Sequence, residues 1–303
     1  MKRRLWLAAQ VIIGAVIVLF LYRYFARNWA EIRHAGTTLE IHPVPLAAAG
    51  AIVLVTYGML IGAWDAVLRG WGERLPYREA ARIWCLSNLA RYIPGRVWQI
   101  AGMAALAQRA GISPWAAAGS AIVVQFLAIA TGMLVTAVFA PAFGNPLMIA
   151  LTGLVTAAAA AALAWPAGAA WLSRTITRLT GRPVELRAVR AGPLLLSAAI
   201  TAAAWILYGF ALNLSVRGLT GDDLSVGASI GVFTGSYVAG LVNVFTSAGL
   251  GTREVILVNW LRGPLDPAAA LIVTAGSRIL MTATELVAAA LTLSLGTRWT
   301  DGR

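Results

Sequence analysis

The chain has few side chains of the kinds that carry enzyme chemistry. Its 303 residues include one cysteine, Cys85, two histidines and one lysine. A single cysteine excludes an intrachain disulfide. The sequence has no CxxC, HExxH or P-loop motif, so these frameworks for metal, redox or nucleotide chemistry are missing. We therefore expect no enzymatic activity, no catalytic residue, no metal and no cofactor.

Charged residues are scarce as well. They make up 12% of the chain, against about 25% in soluble domains. The hydrophobic fraction is 59% and the mean hydropathy is +0.76, values that indicate a chain folded in a lipid bilayer. The net charge of +12 comes almost entirely from arginines, which are spread along the loops rather than gathered on one soluble face. A nucleic-acid partner is therefore not expected.

Six apolar stretches are long enough to cross a bilayer as helices, which takes about 20 residues each. We predict spans at about 5–22, 44–68, 115–140, 146–169, 193–215 and 267–295. Two further regions, 80–109 and 224–262, contain shorter apolar stretches separated by glycine or proline. Such stretches are more typical of re-entrant helical hairpins than of spans. The predicted fold class is all-α and polytopic, with about six full spans and two re-entrant hairpins.

The distribution of basic residues predicts the orientation in the membrane. Placing both termini in the cytoplasm leaves 15 basic residues in inner loops and 5 in outer loops, as the positive-inside rule requires. We expect a multi-pass protein of the cell inner membrane. The two hairpins then enter from opposite faces, which is typical of inverted repeats, with halves at about 44–140 and 193–295 in one membrane domain, 1–303. Two full passes in place of each hairpin would give the same charge distribution.

The first broken segment places polar residues in apolar surroundings: Asn88, Arg91, Pro94, Gly95 and Arg96. Asn88 and Arg91 are three residues apart and would share one face of a helix. Pro94 interrupts that helix, which must restart near Arg96 with unpaired backbone N–H groups. Free N–H groups beside a guanidinium favour the binding of phosphate. The alternative is a loop whose arginines extend to lipid headgroups.

The second broken segment repeats this design with Gly249, Gly251, Arg253 and Glu254. The two glycines precede a helix start that has an arginine in its first turn, which again favours an anion. Glu254 would also be favourable there for its charge alone, because acidic side chains stabilise helix N-termini. We therefore interpret both broken segments as substrate-binding elements.

Two further charges, Arg278 and Glu285, lie two helical turns apart in the last predicted span. An unpaired charge at that depth is costly. We expect pairing between helices, either Arg278 with Glu254 or Arg253 with Glu285, and a purely structural role for these pairs is the alternative to ligand binding. The four arginines of these segments exceed the two glutamates by two charges, which an anionic ligand would balance.

The two motifs resemble the signatures of a known family. Residues 88–96, Asn-Leu-Ala-Arg-Tyr-Ile-Pro-Gly-Arg, followed by Gly-Ile-Ser at 111–113, resemble the first signature of the lysylphosphatidylglycerol synthase transmembrane-region family. Residues 248–254, Ala-Gly-Leu-Gly-Thr-Arg-Glu, resemble the second. The motif positions implied by this resemblance are Arg91, Arg96, Arg253 and Glu254.

The resemblance implies a function in lipid transport. In the best-understood relatives this membrane region acts as a flippase for an aminoacylated phospholipid that a fused soluble synthase domain produces, while other relatives stand alone or accompany glycosyltransferases. Since no counterpart of that domain follows here, we expect a stand-alone member that flips an anionic phospholipid or a lipid-linked phosphate. A lipid-synthesising enzyme is a candidate partner. A phospholipid, a polyprenyl phosphate and a glycolipid all stand as alternatives for the substrate.

Two other functional classes are compatible with the sequence. A small-solute secondary transporter would use the same inverted repeat with a cavity closed to lipid. A lipid-modifying membrane enzyme, or an accessory subunit of one, would need a nucleophile or base at membrane depth. Only Glu254, Glu285 and Cys85 are available for that role.

Overall fold

The computed structural model of the chain describes residue 23 and residues 41–92, 97–140, 145–180, 188–242 and 251–294. No strand occurs in these ranges, and a 3-10 turn over Ala90–Tyr92 extends the second helix. This confirms the all-α class, while the predicted first span at 5–22 lies outside the described residues. The helices are α1 (Pro43–Gly70), α2 (Tyr77–Leu89), α3 (Val97–Arg109), α4 (Pro114–Phe139), α5 (Pro146–Ala164), α6 (Pro166–Thr180), α7 (Ala191–Thr220), α8 (Val226–Val242), α9 (Thr252–Leu261) and α10 (Pro267–Ser294).

Four helices, α1, α4, α7 and α10, are each long and apolar enough to cross a membrane. They correspond to four of the predicted spans, and their lengths of 26 to 30 residues exceed the about 20 residues that a bilayer requires. α1 and α4 both have proline in their first turn. Backbone N–H groups there have no acceptor within the helix, so the proline costs no helical hydrogen bond. The chain is therefore a multi-pass membrane protein.

The predicted span at 146–169 differs from the structure at its C-terminal end. α5 ends at Ala164, and the chain bends by 67° between α5 and α6. The reason is Pro166, which has no N–H to continue the helical ladder and therefore starts a new helix. Taken together, α5 and α6 would provide a fifth crossing, through a broken helix.

The two regions that are too short to span form pairs of short helices, as their sequences predict. α2 and α3 have 13 residues each, and α8 and α9 have 17 and 10. The order of long helix, two short helices and long helix therefore occurs twice, in α1–α4 and in α7–α10. Whether the pairs are re-entrant and the halves inverted stays a prediction.

Close packing at glycines brings the second short pair into position. α7 packs against α1, α4, α8 and α10, and a Cβ at Gly209 of α7 would lie 2.4 Å from the Ile230 Cα of α8. A Cβ at Gly235 of α8 would lie 2.4 Å from the Trp260 ring of α9. Only glycine allows such approaches, which are common between membrane helices. The first approach holds α8 against α7, and the second holds α9 against α8.

Candidate functional site

Both broken segments contribute side chains to one cavity. It has a volume of about 230 Å³ and is lined by residues of seven helices, α1 to α4 and α7 to α9, and of the 3-10 turn. Asn88 and Arg91 extend into it from the first segment, and Arg253 does so from the second. Asn88, near the end of α2, and Arg91, in the 3-10 turn that follows, thus line the same cavity, and the two broken segments meet there.

Tyr237 of α8 joins the two cavity arginines. Its hydroxyl accepts a hydrogen bond from Arg91 Nη1 at 3.4 Å. The guanidinium of Arg253 lies over the face of the same ring, 5.2 Å from its centroid, and also 5.2 Å from the ring centroid of Phe233. Cations at this distance are attracted by the negative face of an aromatic ring. Tyr237 therefore contacts Arg91 through its hydroxyl and Arg253 through the face of its ring.

Arg253 has no carboxylate partner among the described residues, although its side chain is buried. It is 3% exposed, and its Nε and Nη2 atoms find no hydrogen-bond acceptor in the described part of the chain. Two aromatic faces offset only part of the cost of removing a guanidinium from water. Buried donors that lack a partner at a cavity wall are suited to a ligand with acceptor oxygens.

Glu285 of α10 pairs with Arg91, contrary to the predicted alternative that joined it to Arg253. The carboxylate forms an ion pair with Arg91 Nη2 and accepts hydrogen bonds from Tyr92 Oη at 2.8 Å and Tyr57 Oη at 3.4 Å. The physical reason is packing, since α10 lies against both α1 and α2. Arg91 is therefore neutralised in this state, and Arg253 is not.

The other predicted pair is present: Arg278 Nη1 lies 3.3 Å from Glu254 Oε1. Glu254 Oε2 also accepts a hydrogen bond from the backbone N–H of Gly251 at 2.9 Å, which closes the first turn of α9. Gly251 has φ of +87°, a conformation that glycine adopts without strain. Neither residue of this pair lines the cavity, so the pair lies behind the wall and holds α9 to α10.

Among the described residues, the charged side chains predicted for the site are three arginines, Arg91, Arg253 and Arg278, and two glutamates, Glu254 and Glu285, which leaves one positive charge in excess. The sequence predicts an excess of two because it includes a fourth arginine. That arginine and three other predicted site residues lie outside the described residues. They are Pro94, Gly95, Arg96 and Gly249.

Apart from Asn88, the uncharged lining of the cavity was not predicted from the sequence. Gln99 of α3 donates a hydrogen bond to Asn88 Oδ1, and Gln125 of α4 lies on the wall. Glutamine in a predicted span was a readable signal, because polar residues in such segments tend to face the protein interior. The aromatic residues carried no such signal, since the rings resemble ordinary lipid-facing or core residues. They are Tyr57, Trp64, Trp84, Trp205, Tyr208 and Tyr237.

The segment Gly227–Gly231 reads Gly-Ala-Ser-Ile-Gly, a pattern shared with the nucleophile elbows of hydrolases. An elbow requires a strained turn between a strand and a helix. Here the segment lies inside α8, where Ser229 Oγ donates to the Ser225 carbonyl at 3.0 Å and accepts from Asn213 Nδ2. Ser229 therefore ties α8 to α7, and its backbone does not have the geometry of an elbow.

Comparison with known proteins supports the resemblance. A family model described as the lysylphosphatidylglycerol synthase TM region matches residues 7–289. The match includes both broken segments and every helix of the cavity. A comparison with curated proteins gave no match.

Proposed function

Because the chain belongs to the lysylphosphatidylglycerol synthase transmembrane-region family, we propose that it moves an anionic phospholipid or lipid-linked phosphate between the two leaflets of the membrane. The family is membrane-associated and related to lipid handling. The proposal assigns this chain transport of the lipid and no covalent step.

The observation that carries the proposal is the buried Arg253 on the cavity wall, with Nε and Nη2 unpartnered among the described residues. A guanidinium presents planar donors that match the oxygens of a phosphate. A phosphodiester bound there would supply the missing acceptors and offset the excess positive charge of the cavity. Arg91, 3.4 Å from the hydroxyl of Tyr237, is placed to act as the second contact.

The size of the cavity supports binding of a headgroup rather than of a whole lipid. Its volume of about 230 Å³ lies below the about 300–1,000 Å³ of typical small-molecule sites. The acyl chains therefore stay in the bilayer while the headgroup occupies the cavity.

The paired carboxylates give a route for release. Glu285 holds Arg91 and therefore competes with a phosphate for the same donors. The ligand binds strongly when Arg91 contacts it and weakly when Arg91 pairs with Glu285 again. A transporter needs the first state to take up its substrate and the second to release it. In the orientation that the arginine distribution favours, the protein lies in the cell inner membrane with both termini in the cytoplasm. A lipid-synthesising enzyme would then deliver the substrate from the cytoplasmic side.

The experiment that tests the proposal uses purified full-length protein in phosphatidylcholine vesicles that contain tail-labelled phosphatidylglycerol. Chemical quenching of the outer leaflet measures transfer. The test variant is Arg253→Gln, and the matched control is Arg262→Gln, because Arg262 is exposed at the end of the same helix. We expect wild-type protein and the control to accelerate transfer.

Arg253→Gln should lose this activity while remaining folded, since the change removes a buried cation that lacks a carboxylate partner among the described residues. Thermal unfolding in detergent checks the fold. Equal transfer by Arg253→Gln and wild type would contradict the proposal.

A further inference from the structure

We propose that α6 lies in the headgroup layer of the membrane and binds anionic phospholipids there, at a surface separate from the cavity. The partner of its exposed face is therefore the anionic leaflet itself. This inference goes beyond the proposed function, because the lipids bound by α6 are held at the surface and are not transported.

α5 is long enough to cross the hydrocarbon core without α6. Its 19 residues extend over about 28 Å, close to the about 30 Å thickness of the core. The chain then bends by 67°, so for an α5 that crosses near the membrane normal, α6 runs closer to the membrane plane. Trp165 lies at the bend and is 69% exposed, and tryptophan is enriched where spans meet the membrane surface.

One face of α6 combines an aromatic ring with two cations. Trp171, Arg174 and Arg178 are three and four residues apart, a spacing that places them on one side of a helix. All three are exposed. On the opposite side of the helix Ala169 is buried, and α6 packs against α5. The face that carries Trp171, Arg174 and Arg178 therefore points away from the described part of the protein.

Neither water nor hydrocarbon suits this mixed face. The Trp171 ring is 56% exposed, which is unfavourable in water. Arg174 and Arg178 would be costly in hydrocarbon, since neither has a carboxylate partner among the described residues. The headgroup layer accommodates both kinds of side chain, because indole rings favour the interface and guanidinium groups bind phosphate oxygens.

The charge of α6 favours anionic lipids over zwitterionic ones. The helix contains two arginines and no acidic residue. Each arginine close to an anionic surface strengthens binding by about fivefold. Arg174 Nε donates to the Ala170 carbonyl at 3.3 Å, which leaves the two Nη atoms for lipid phosphates. In the orientation that the arginine distribution favours, α6 lies on the cytoplasmic side, where anionic lipids give the leaflet a negative surface potential.

The test places a fluorophore on the mixed face of the full-length protein. Cys85 is the only cysteine of the chain and is buried, so Cys85→Ala with Ala167→Cys provides a single labelling site. Ala167 is exposed and lies one turn before Trp171. The bimane-labelled protein is reconstituted in phosphatidylcholine vesicles that contain a small fraction of nitroxide-labelled phosphatidylglycerol or, in a parallel sample, nitroxide-labelled phosphatidylcholine.

The nitroxide lies near the headgroup end of one acyl chain, so that it reports contact at the depth of the interface. We expect both lipids to quench the bimane, and phosphatidylglycerol to do so with an apparent affinity about 2–10-fold higher. High salt should reduce this preference, because it screens exposed charges.

Two substitutions isolate the contribution of the arginines. Arg174→Gln with Arg178→Gln should abolish the preference for phosphatidylglycerol and leave quenching by phosphatidylcholine unchanged. The matched control is Arg109→Gln with Arg262→Gln, which removes two exposed arginines from other helix ends and should keep the preference. Arg253→Gln should keep it as well, because Arg253 lies on the wall of the separate cavity.

The outcomes separate this inference from the proposed function. Equal quenching by the two lipids would overturn the binding of anionic headgroups by α6. Quenching by soluble iodide but by neither lipid would place α6 in water, free for a soluble partner, and would overturn its interfacial position. Neither result bears on the Arg253-dependent transfer of lipid. Conversely, absence of that transfer would contradict the proposed function and leave a preference measured at α6 intact.

Discussion

Glu285 of α10 forms an ion pair with Arg91 of the first broken segment, whereas Arg253 of the same cavity has no carboxylate partner among the described residues. Tyr237 connects the two arginines, through its hydroxyl on one and its ring face on the other. The two arginines are therefore unequal. Arg91 is paired with Glu285, which competes with a ligand, whereas Arg253 is available to an anionic ligand.

The first prediction concerns this competitor. Glu285→Gln removes the charge that holds Arg91 and keeps an acceptor for one of the Tyr92 and Tyr57 hydroxyls, which contact different carboxylate oxygens. We expect phosphatidylglycerol to bind about tenfold more tightly, the effect of one additional charge-assisted hydrogen bond, and transfer to slow because release becomes limiting. Native mass spectrometry measures the first effect and vesicle transfer the second. The matched control is Glu79→Gln in α2, outside the cavity, and weaker lipid binding by Glu285→Gln would contradict the competitor role.

The second prediction concerns the pair behind the wall. Arg278 is 5% exposed and Glu254 is 6% exposed, so Arg278→Met leaves a buried carboxylate without its cation. Such a change costs about 3–5 kcal/mol of the free energy of unfolding. SDS titration in mixed micelles measures this loss. The double variant Arg278→Met with Glu254→Gln should recover a large part of it, because the buried charge is then gone and the amide still accepts from Gly251. No difference between single and double variants would contradict structural pairing.

The positions of the helices and of the charges could be predicted from the sequence because the bilayer makes both conspicuous. An apolar run of sufficient length has few alternatives to a helix, and α10 at Pro267–Ser294 agrees closely with the predicted 267–295. An ionisable residue in such a run is costly unless it has a partner. Arg278 and Glu254 could therefore be paired from the sequence alone.

The partner of Glu285 could not be chosen in the same way. Arg253 and Arg91 both offered a guanidinium at membrane depth, and only the packing of α10 against α2 decides between them. Tyr237 was missed for a related reason. In the sequence it is one aromatic residue in an apolar helix, and its function depends on two arginines that the chain brings to it from distant segments.

The third prediction concerns the start of α9. Gly251 has φ of +87°, and no atom of the described residues lies within 4 Å of an added Cβ, so Gly251→Ala meets backbone strain without a clash in that part of the chain. A sparsely populated backbone conformation with positive φ costs other residues about 1–3 kcal/mol, which SDS titration should detect as a loss of stability. The strain falls two residues before Arg253, so transfer should fall as well. Gly263→Ala is the control, since its nearest atom lies 3.7 Å away, and equal behaviour of the two variants would contradict a conformational requirement at Gly251.

The fourth prediction concerns the contact between α8 and α9. A Cβ at Gly235 would lie 2.4 and 2.6 Å from two carbons of the Trp260 ring and 3.0 Å from Thr136 Cγ2, so Gly235→Ala forces the two helices apart. Overpacking of this kind costs about 1–3 kcal/mol. Transfer should fall too, because Arg253 on α9 then loses its position over the rings of α8.

A second substitution separates this local clash from a general loss of fold. Trp260→Leu in the Gly235→Ala background makes room for the new methyl group and should recover part of both stability and transfer. Gly62→Ala is the control for an added methyl group in a helix, because no atom in the described part of the chain lies within 4 Å of its Cβ position. There the change should raise stability slightly, by about 0.5–1 kcal/mol. If Gly235→Ala behaved like Gly62→Ala, the close approach of α8 and α9 would not be what positions Arg253.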